Sequence, residues 1–176
     1  MTFLDGRPPR VIAHRGLAID APENTLLAFA RALSARATHL ETDIHASADG
    51  VAVIAHDADL TRVAGRDVTI AHLTMPELRR IDLGHGQGFC TLAQALDAFP
   101  DARFNIDVKD ARAAAPAVEA IRAARAVDRV LITSFSPQRR RAVTDQLPGV
   151  ASSPAVSEFL PILAGATQWQ IAACAA

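Results

Sequence analysis

Two kinds of segment alternate along this chain, and that alternation restricts its fold more than any other feature. Short apolar runs with strand character occupy residues 11–13, 39–45, 51–55, 103–109 and 129–133, and segments with helical spacing lie between most of them. Strands that alternate with helices through short connections usually pair in parallel, with right-handed crossovers. The sequence therefore predicts an α/β fold.

Local signals predict where several helices begin. Thr74 with Glu77 is typical of a capping box, and Ser136 followed by Pro137 is a strong helix start. The helices are predicted at residues 24–37, 74–83, 91–99, 114–127 and 136–147, with a weak strand at 150–153.

The middle of the chain is less regular. The turn Ser47-Ala48-Asp49-Gly50 predicts either an antiparallel hairpin or one strand continued through a bend. Residues 58–73 show no periodic pattern and are expected to cover one end of the sheet. The glycines of residues 84–88 match no phosphate-binding spacing, so they are assigned to turn geometry. An apolar tail from about Ser157 is predicted to be helical.

Length and charge limit the class of protein. The chain has 176 residues, 50% of them hydrophobic, which suits one domain with a sizeable core. A formal net charge of -1 gives no electrostatic reason to expect a nucleic-acid partner. No apolar run approaches the roughly 20 residues of a membrane span, and the N-terminus lacks a secretory pattern. We therefore expect one cytoplasmic domain over residues 1–176, with no stable membrane insertion.

The two cysteines, Cys90 and Cys174, lie in unrelated contexts and match no zinc-binding spacing. Both are predicted to be free thiols.

Carboxylates recur two residues apart on the predicted strands. Glu41 and Asp43 project from the same side of one strand, and Asp107 and Lys109 repeat that spacing on another. Carboxylates that converge at strand ends repel one another unless a cation neutralises them, and oxygen ligands suit Mg²⁺ or Ca²⁺ better than zinc. One hard divalent cation is therefore the economical expectation.

Two histidines follow separate apolar runs. His14 and His56 are placed to act as general base and general acid near neutral pH. Arg15 could hold a phosphate oxygen with its guanidinium group, with Lys109 as a second positive charge. Each feature alone also has an ordinary interpretation, as a structural histidine or a solvated acidic edge. The other histidines are assigned to structural or surface roles, and His45 is left open because it continues the face of Glu41 and Asp43.

The combination of motifs is more specific than any single one. In chain order they are His14-Arg15-Gly16, Pro22-Glu23-Asn24-Thr25, Glu41-x-Asp43, the Asp49-Gly50 turn, His56-Asp57 and Asn105-Ile106-Asp107-Val108-Lys109. This series, over about residues 11–150, closely resembles the glycerophosphodiester phosphodiesterase family. The resemblance implies a TIM barrel with its active site at the carboxyl ends of the strands.

The resemblance also implies residue roles. Glu41, Asp43 and Asp107 would hold the divalent cation, His14 and His56 would transfer protons, and Arg15 and Lys109 would bind phosphate. One histidine would help the glycerol 2-hydroxyl attack phosphorus, and the other would protonate the leaving alcohol. Water would then open the cyclic phosphate to give glycerol 3-phosphate. Asn24 would organise the loop near His14, or would only cap the following helix.

Two departures from the family pattern affect these expectations. The family usually has Glu at the position of Asp107, and the missing methylene shortens the reach by about 1.5 Å. A full barrel has eight strands in about 250 residues, whereas about five barrel strands are predicted here. We therefore expect an incomplete barrel, truncated on its C-terminal side. Residues 159–176 could cover the open edges, a partner chain such as a second copy could complete the barrel, or the chain could be a truncated product.

The leading hypothesis is a metal-dependent enzyme that hydrolyses small glycerophosphodiesters to glycerol 3-phosphate and an alcohol. One alternative is a phospholipase D-like enzyme that acts on lysolipid or sphingolipid head groups. The other is an inactive fragment that acts only through self-association.

Overall fold

A computed structural model describes residues 2–6, 8–155 and 157–159. Its strands are β1 (Ile12–Ala13), β2 (His39–Ala46), β3 (Ala52–Ile54), β4 (Asp59–Leu60), β5 (Arg66–Thr69), β6 (Arg103–Val108), β7 (Val130–Thr133) and β8 (Ala151–Ser152). Its α-helices are α1 (Leu26–Ser34), α2 (Thr61–Ala64), α3 (Met75–Arg79), α4 (Leu92–Ala98), α5 (Ala114–Ala123) and α6 (Pro137–Thr144). The 3₁₀ turns are Ile70–His72, Ala111–Ala113 and Val127–Arg129.

Five of the described strands form a parallel sheet in the order β1-β2-β6-β7-β8. β3 pairs antiparallel with β2, so the hairpin interpretation of the Asp49-Gly50 turn is confirmed. Within the described part of the chain, this arrangement confirms the predicted α/β fold and the expected number of barrel strands. Because parallel strands share one direction, their carboxyl ends lie along one edge of the sheet.

The helices begin at the predicted caps, although most are shorter than predicted. The Thr25 hydroxyl accepts a hydrogen bond from the backbone of Ala28, and Thr91 accepts one from Gln94. The capping box of Thr74 and Glu77 is also present. Thr25, rather than Asn24, is therefore the cap of α1.

The main core lies between the sheet and helices α1, α4, α5 and α6. Phe29 of α1 contacts Phe104 of β6 edge to face, with ring centroids 5.7 Å apart. β3 contributes alternate residues to two cores: Ile54 faces the main core, whereas Val53 faces a smaller core formed with Leu60 and Phe89. The smaller core is thus attached to the main sheet through β3.

Residues 58–73 are more ordered than their pattern predicted. They form a two-stranded hairpin of β4 and β5 with the short helix α2 between the strands. Leu60 and Ile70 from this segment are fully buried in the smaller core. The sequence does not predict this hairpin, because each strand is too short to show the alternation of apolar and polar residues that is typical of a strand.

Three further predictions concern the cysteines, the C-terminal tail and membrane insertion. Cys90 is buried and makes no disulfide within the described residues, and burial raises the pKa of its thiol to about 12. Cys174 and the predicted helical tail beyond residue 159 lie outside the described residues. Within residues 2–6, 8–155 and 157–159, the helices are all too short or too polar to cross a bilayer.

Candidate active site

The loop between β1 and α1 has a constrained backbone. Gly16 has a φ of +80°, and a Cβ atom there would lie 2.7 Å from the Ala28 carbonyl carbon, so a side chain cannot fit. Arg15 and Asn24 also have positive φ angles, both of 56°. Non-glycine residues in this region are strained and are concentrated at functional sites. In these backbone conformations, both side chains contact Asp43 of β2.

The predicted carboxylates meet at the carboxyl edge of the sheet. In the register of β2 and β6, Glu41 lies opposite Asn105 and Asp43 lies opposite Asp107. The side chains of Asp43 and Asp107 are only 2% and 11% exposed. Parallel pairing thus brings together carboxylates that lie more than 60 residues apart in the sequence.

Cations and one amide surround these carboxylates. The Lys109 ammonium lies 2.7 Å from Asp107 and 3.2 Å from Asp43, and the Arg15 Nε atom lies 3.5 Å from Asp43. Asn24 donates to Asp43 over 3.1 Å and accepts from the Thr42 hydroxyl over 2.8 Å. We call Glu41, Asp43 and Asp107, with Arg15 and Lys109, the inner cluster. Asn24 therefore organises this cluster and is not a helix cap.

Charge is not balanced in the inner cluster, where three carboxylates face two cations. Burial, together with the neighbouring charges of Asp43 and Asp107, raises the pKa of Glu41 to about 7. Burial tends to lower the pKa of Lys109, but its hydrogen bonds and charge interactions with Asp107 and Asp43 together outweigh burial and raise it. The surroundings therefore resist ionisation of Glu41 and hold the lysine charged.

The fit of a metal ion can be judged from the same contacts. Among the residues that the structure describes, no three His, Cys, Asp or Glu side chains are arranged as a metal-binding group. The Lys109 ammonium instead lies within ion-pair distance of both Asp43 and Asp107. Yet Asp107 Oδ1 and Asn105 Oδ1 are buried and have no hydrogen-bond partner among the described residues, which is unfavourable for oxygen atoms. Oxygen donors with surplus negative charge fit a hard divalent cation.

The two predicted histidines occupy different surroundings. His14 is 71% exposed, and its Nε2 atom lies 3.9 Å from Glu41 of the inner cluster. His56 is partly buried, with Nδ1 2.7 Å from the Asp57 carboxylate. The buried His45 contacts the backbone carbonyl of His56 through Nε2 at 3.0 Å, and burial lowers its pKa. His45 thus supports the segment that carries His56, a contact that its strand position alone could not specify.

A second group of charges surrounds His56. Arg62 donates through Nε to Asp57 and through Nη2 to Glu23, each over 2.6 Å. Glu23 also accepts from Arg15 over 3.2 Å. We call His56, Asp57, Glu23 and Arg62 the outer cluster. Local sequence signals do not indicate Arg62, because it lies in the segment without a periodic pattern. Only its acidic partners, Glu23 and Asp57, belong to recognised motifs.

Two cavities flank the clusters. One of about 280 Å³ has an apolar wall that includes Leu60, Val63 and Phe89, and its polar rim includes Glu23 and His56. Another, of about 190 Å³, lies beside Asp107 and Phe135. The Phe135 ring is 71% exposed and lies 5.5 Å from the Lys109 ammonium. The site can therefore contact both charged and apolar parts of a ligand.

The sequence of this chain also matches a known protein family. Residues 14–162 match the model of the Glycerophosphoryl diester phosphodiesterase family. This chain belongs to that family. The match includes every residue of the inner and outer clusters, and it confirms the family that the motifs predicted.

Individual relatives with similar sequences agree with this family membership. A Mycobacterium tuberculosis protein named "Probable glycerophosphodiester phosphodiesterase 2" is 43% identical over 131 residues, which are 74% of this chain and 50% of the relative. A mouse protein named "Lysophospholipase D GDPD1" is 34% identical over 57% of this chain and 36% of its own length. This chain therefore spans half or less of the length of these two relatives.

A solved structure supports the fold. An Oleispira antarctica phosphodiesterase, solved in complex with the product sn-glycerol-3-phosphate, superposes with a TM-score of 0.75 and 26% identity. The superposition covers 89% of this chain and 72% of that protein. The fold of the described residues is accordingly the TIM-barrel type found in this family.

Proposed function

We propose that this protein hydrolyses glycerophosphodiesters to glycerol 3-phosphate and an alcohol, acting as a single domain. The observation that carries the proposal is the convergence of His14, Arg15, the three carboxylates and Lys109 at the carboxyl edge of one parallel sheet. The product complex of the Oleispira antarctica relative supports a glycerophosphodiester as the substrate class.

The histidine contacts suggest how the protons move. An ionised Asp57 carboxylate can only accept hydrogen bonds, so the proton of the His56 imidazole lies on Nδ1 and the Nε2 lone pair is free. His56 would take the proton of the glycerol 2-hydroxyl as that oxygen attacks phosphorus, and Asp57 would stabilise the resulting imidazolium. His14 would protonate the departing alcohol oxygen. In the second step His14 would take a proton from water, and His56 would return its proton to the 2-oxygen.

Charge neutralisation would come from the inner cluster. Glu41, Asp43 and Asp107 would hold one divalent cation, Mg²⁺ or Ca²⁺, which would stabilise negative charge on the phosphate. Arg15 and Lys109 would bind phosphate oxygens, since both lie at the strand ends beside Asp43. Substrate phosphate would then replace part of their present pairing with carboxylates.

A phospholipase D-like activity on lysolipids is the second candidate. The mouse relative named lysophospholipase D and the apolar wall of the larger cavity favour it. The two candidates differ in whether the preferred diester carries an acyl chain. An inactive fragment that self-associates remains the third outcome, in which a homo-oligomer would form without turnover.

One assay separates these candidates. We would measure release of phosphate-containing product from glycerophosphocholine and from lysophosphatidylcholine, with Mg²⁺ or Ca²⁺ and with excess chelator. Chelator-sensitive formation of glycerol 3-phosphate, lost in His14→Ala, would support the proposal, whereas preference for the acylated diester would support the second candidate. The absence of turnover with either metal would contradict both activities for this chain.

A further inference from the structure

Arg62 joins two loops that reach the site from different parts of the chain. Its Nε atom donates to Asp57 Oδ2, and its Nη2 atom donates to Glu23 Oε1, both over 2.6 Å. Glu23 lies in the β1–α1 loop, and Asp57 follows β3. The two bonds leave from different nitrogens of one planar guanidinium, a geometry that a lysine ammonium does not reproduce.

The other oxygen of Asp57 contacts the proposed proton carrier. Asp57 Oδ1 lies 2.7 Å from His56 Nδ1, while Oδ2 is held by Arg62. Both oxygens of one carboxylate are thus engaged, so its plane cannot turn without breaking a hydrogen bond. Burial tends to raise the pKa of Asp57, but the hydrogen bonds from His56 and Arg62 outweigh burial and lower it.

The folding of residues 58–73 explains how Arg62 is placed. Leu60, two residues before it, is fully buried in the smaller core. The helix α2 that carries Arg62 stops after one turn at Gly65, which has a φ of +62°. The smaller core therefore fixes the backbone beneath Arg62, although half of the arginine side chain is exposed.

We propose that Arg62 is a positioning residue for the proposed phosphodiesterase reaction: anchored by Glu23, it holds the Asp57 carboxylate against His56. This inference rests on the proposed function. In this role Arg62 acts through Asp57. An exposed ion pair contributes little to stability, so a large effect on turnover would have to come from orientation.

The first test compares Arg62→Ala with Arg141→Ala. Arg141, which lies on α6, makes a similar exposed ion pair with Glu158 over 3.0 Å and forms no ion pair with either cluster in the described part of the chain. We expect Arg62→Ala to lower kcat about 10- to 100-fold, with KM changed less than about threefold, because a misoriented proton carrier slows chemistry more than binding. Arg62→Lys should recover only a small part of the loss. Arg141→Ala should retain wild-type kcat, and melting curves would show that all three variants fold.

Double variants distinguish positioning from a general structural effect. In a His56→Ala background, Arg62→Ala should change kcat by less than about threefold, because the group it positions is already absent. In a His14→Ala background its full effect should persist. An equal loss in all three backgrounds would overturn the proposal.

A measurement that needs no turnover keeps this inference separate from the proposed function. At a pH where imidazole is neutral, ¹⁵N NMR reports which ring nitrogen of His56 carries the proton. We expect the Nδ1-protonated form in the wild type and a mixture of forms in Arg62→Ala, with no change in Arg141→Ala. An unchanged His56 ring in Arg62→Ala would overturn the positioning role. Absence of turnover in the wild type, with the NMR change present, would overturn only the proposed function.

Discussion

The inner and outer clusters both pair carboxylates with basic side chains, but they shift the pKa of one glutamate each, Glu41 and Glu23, in opposite directions. In the inner cluster, burial and neighbouring carboxylates raise the pKa of Glu41 to about 7. In the outer cluster, hydrogen bonds from Arg62 and Arg15 outweigh burial and lower the pKa of Glu23. The inner cluster has surplus negative charge and a buried carboxylate oxygen that finds no partner among the described residues, whereas both carboxylates of the outer cluster accept hydrogen bonds from Arg62.

This difference suits the inner cluster to ligand binding and the outer cluster to the positioning of side chains. Unbalanced, buried oxygen atoms are suited to receive a cation or to exchange partners when a phosphate arrives. More exposed carboxylates that already accept hydrogen bonds from an arginine are suited to hold side chains in place, because they gain little from a further ligand. His14 lies beside the first cluster and His56 belongs to the second, so the proposed reaction needs both.

The largest effect should come from removing either histidine. His14→Ala and His56→Ala should each lower kcat for glycerophosphocholine by about 10²- to 10⁴-fold, the range typical of a lost general acid or base. His72→Ala is the matched control, because His72 is exposed and its ring, within the part of the chain that the structure describes, hydrogen-bonds only the Thr69 hydroxyl. If one of the two variants kept nearly full activity, that histidine and its cluster would have no role in proton transfer.

The charge surplus of the inner cluster should appear as a pH dependence of stability. The pKa of Glu41 is about 7 in the folded chain and ordinarily 4.5, so folding favours its neutral form. The contribution of Glu41 to stability is complete below pH 4.5 and is lost as the pH rises to about 7, by about 3 kcal/mol. Glu41→Gln should lack this loss in urea unfolding with chelator present. If the free energy of unfolding changed with pH in the same way in both proteins, folding would not raise the pKa of Glu41.

The next smaller effect should be the stabilisation of the folded protein by a divalent cation, which depends on the inner cluster and not on the outer one. An ion at 100 times its Kd stabilises a folded protein by about 2.7 kcal/mol. We expect Mg²⁺ or Ca²⁺ to raise the Tm of the wild type and of Asp57→Asn, and to have little effect on Asp107→Asn. If neither ion stabilised the wild type, the metal site predicted at the inner cluster would be wrong.

The smallest effect concerns the stability contributed by the outer cluster. Arg62 is 51% exposed, and exposed ion pairs contribute about 0–1 kcal/mol. Arg62→Ala should therefore reduce the free energy of unfolding by less than about 1 kcal/mol. A loss of several kcal/mol would show that the outer cluster holds the fold together, and the contrast with the inner cluster would then fail.

Much of the fold followed from local sequence signals. The capping residues Thr74 and Thr91 predicted helix starts, because the Glu77 side chain accepts from the Thr74 backbone and the Thr91 hydroxyl accepts from the Gln94 backbone. The alternation of strand and helix segments predicted parallel pairing. Helix ends were predicted too far along the chain, and the hairpin of β4 and β5 was missed, because such short elements depend on packing in the smaller core.

The sequence by itself determined the family, the strand ends that carry Glu41, Asp43 and Asp107, and the candidate histidines, because motif spacing and strand period are properties of neighbouring residues. Only the tertiary structure decided which charges meet. Asn24 binds Asp43 and Arg62 joins Glu23 to Asp57. Such pairs lie up to 39 residues apart, and their distances depend on how loops pack against the sheet edge, which no local pattern records.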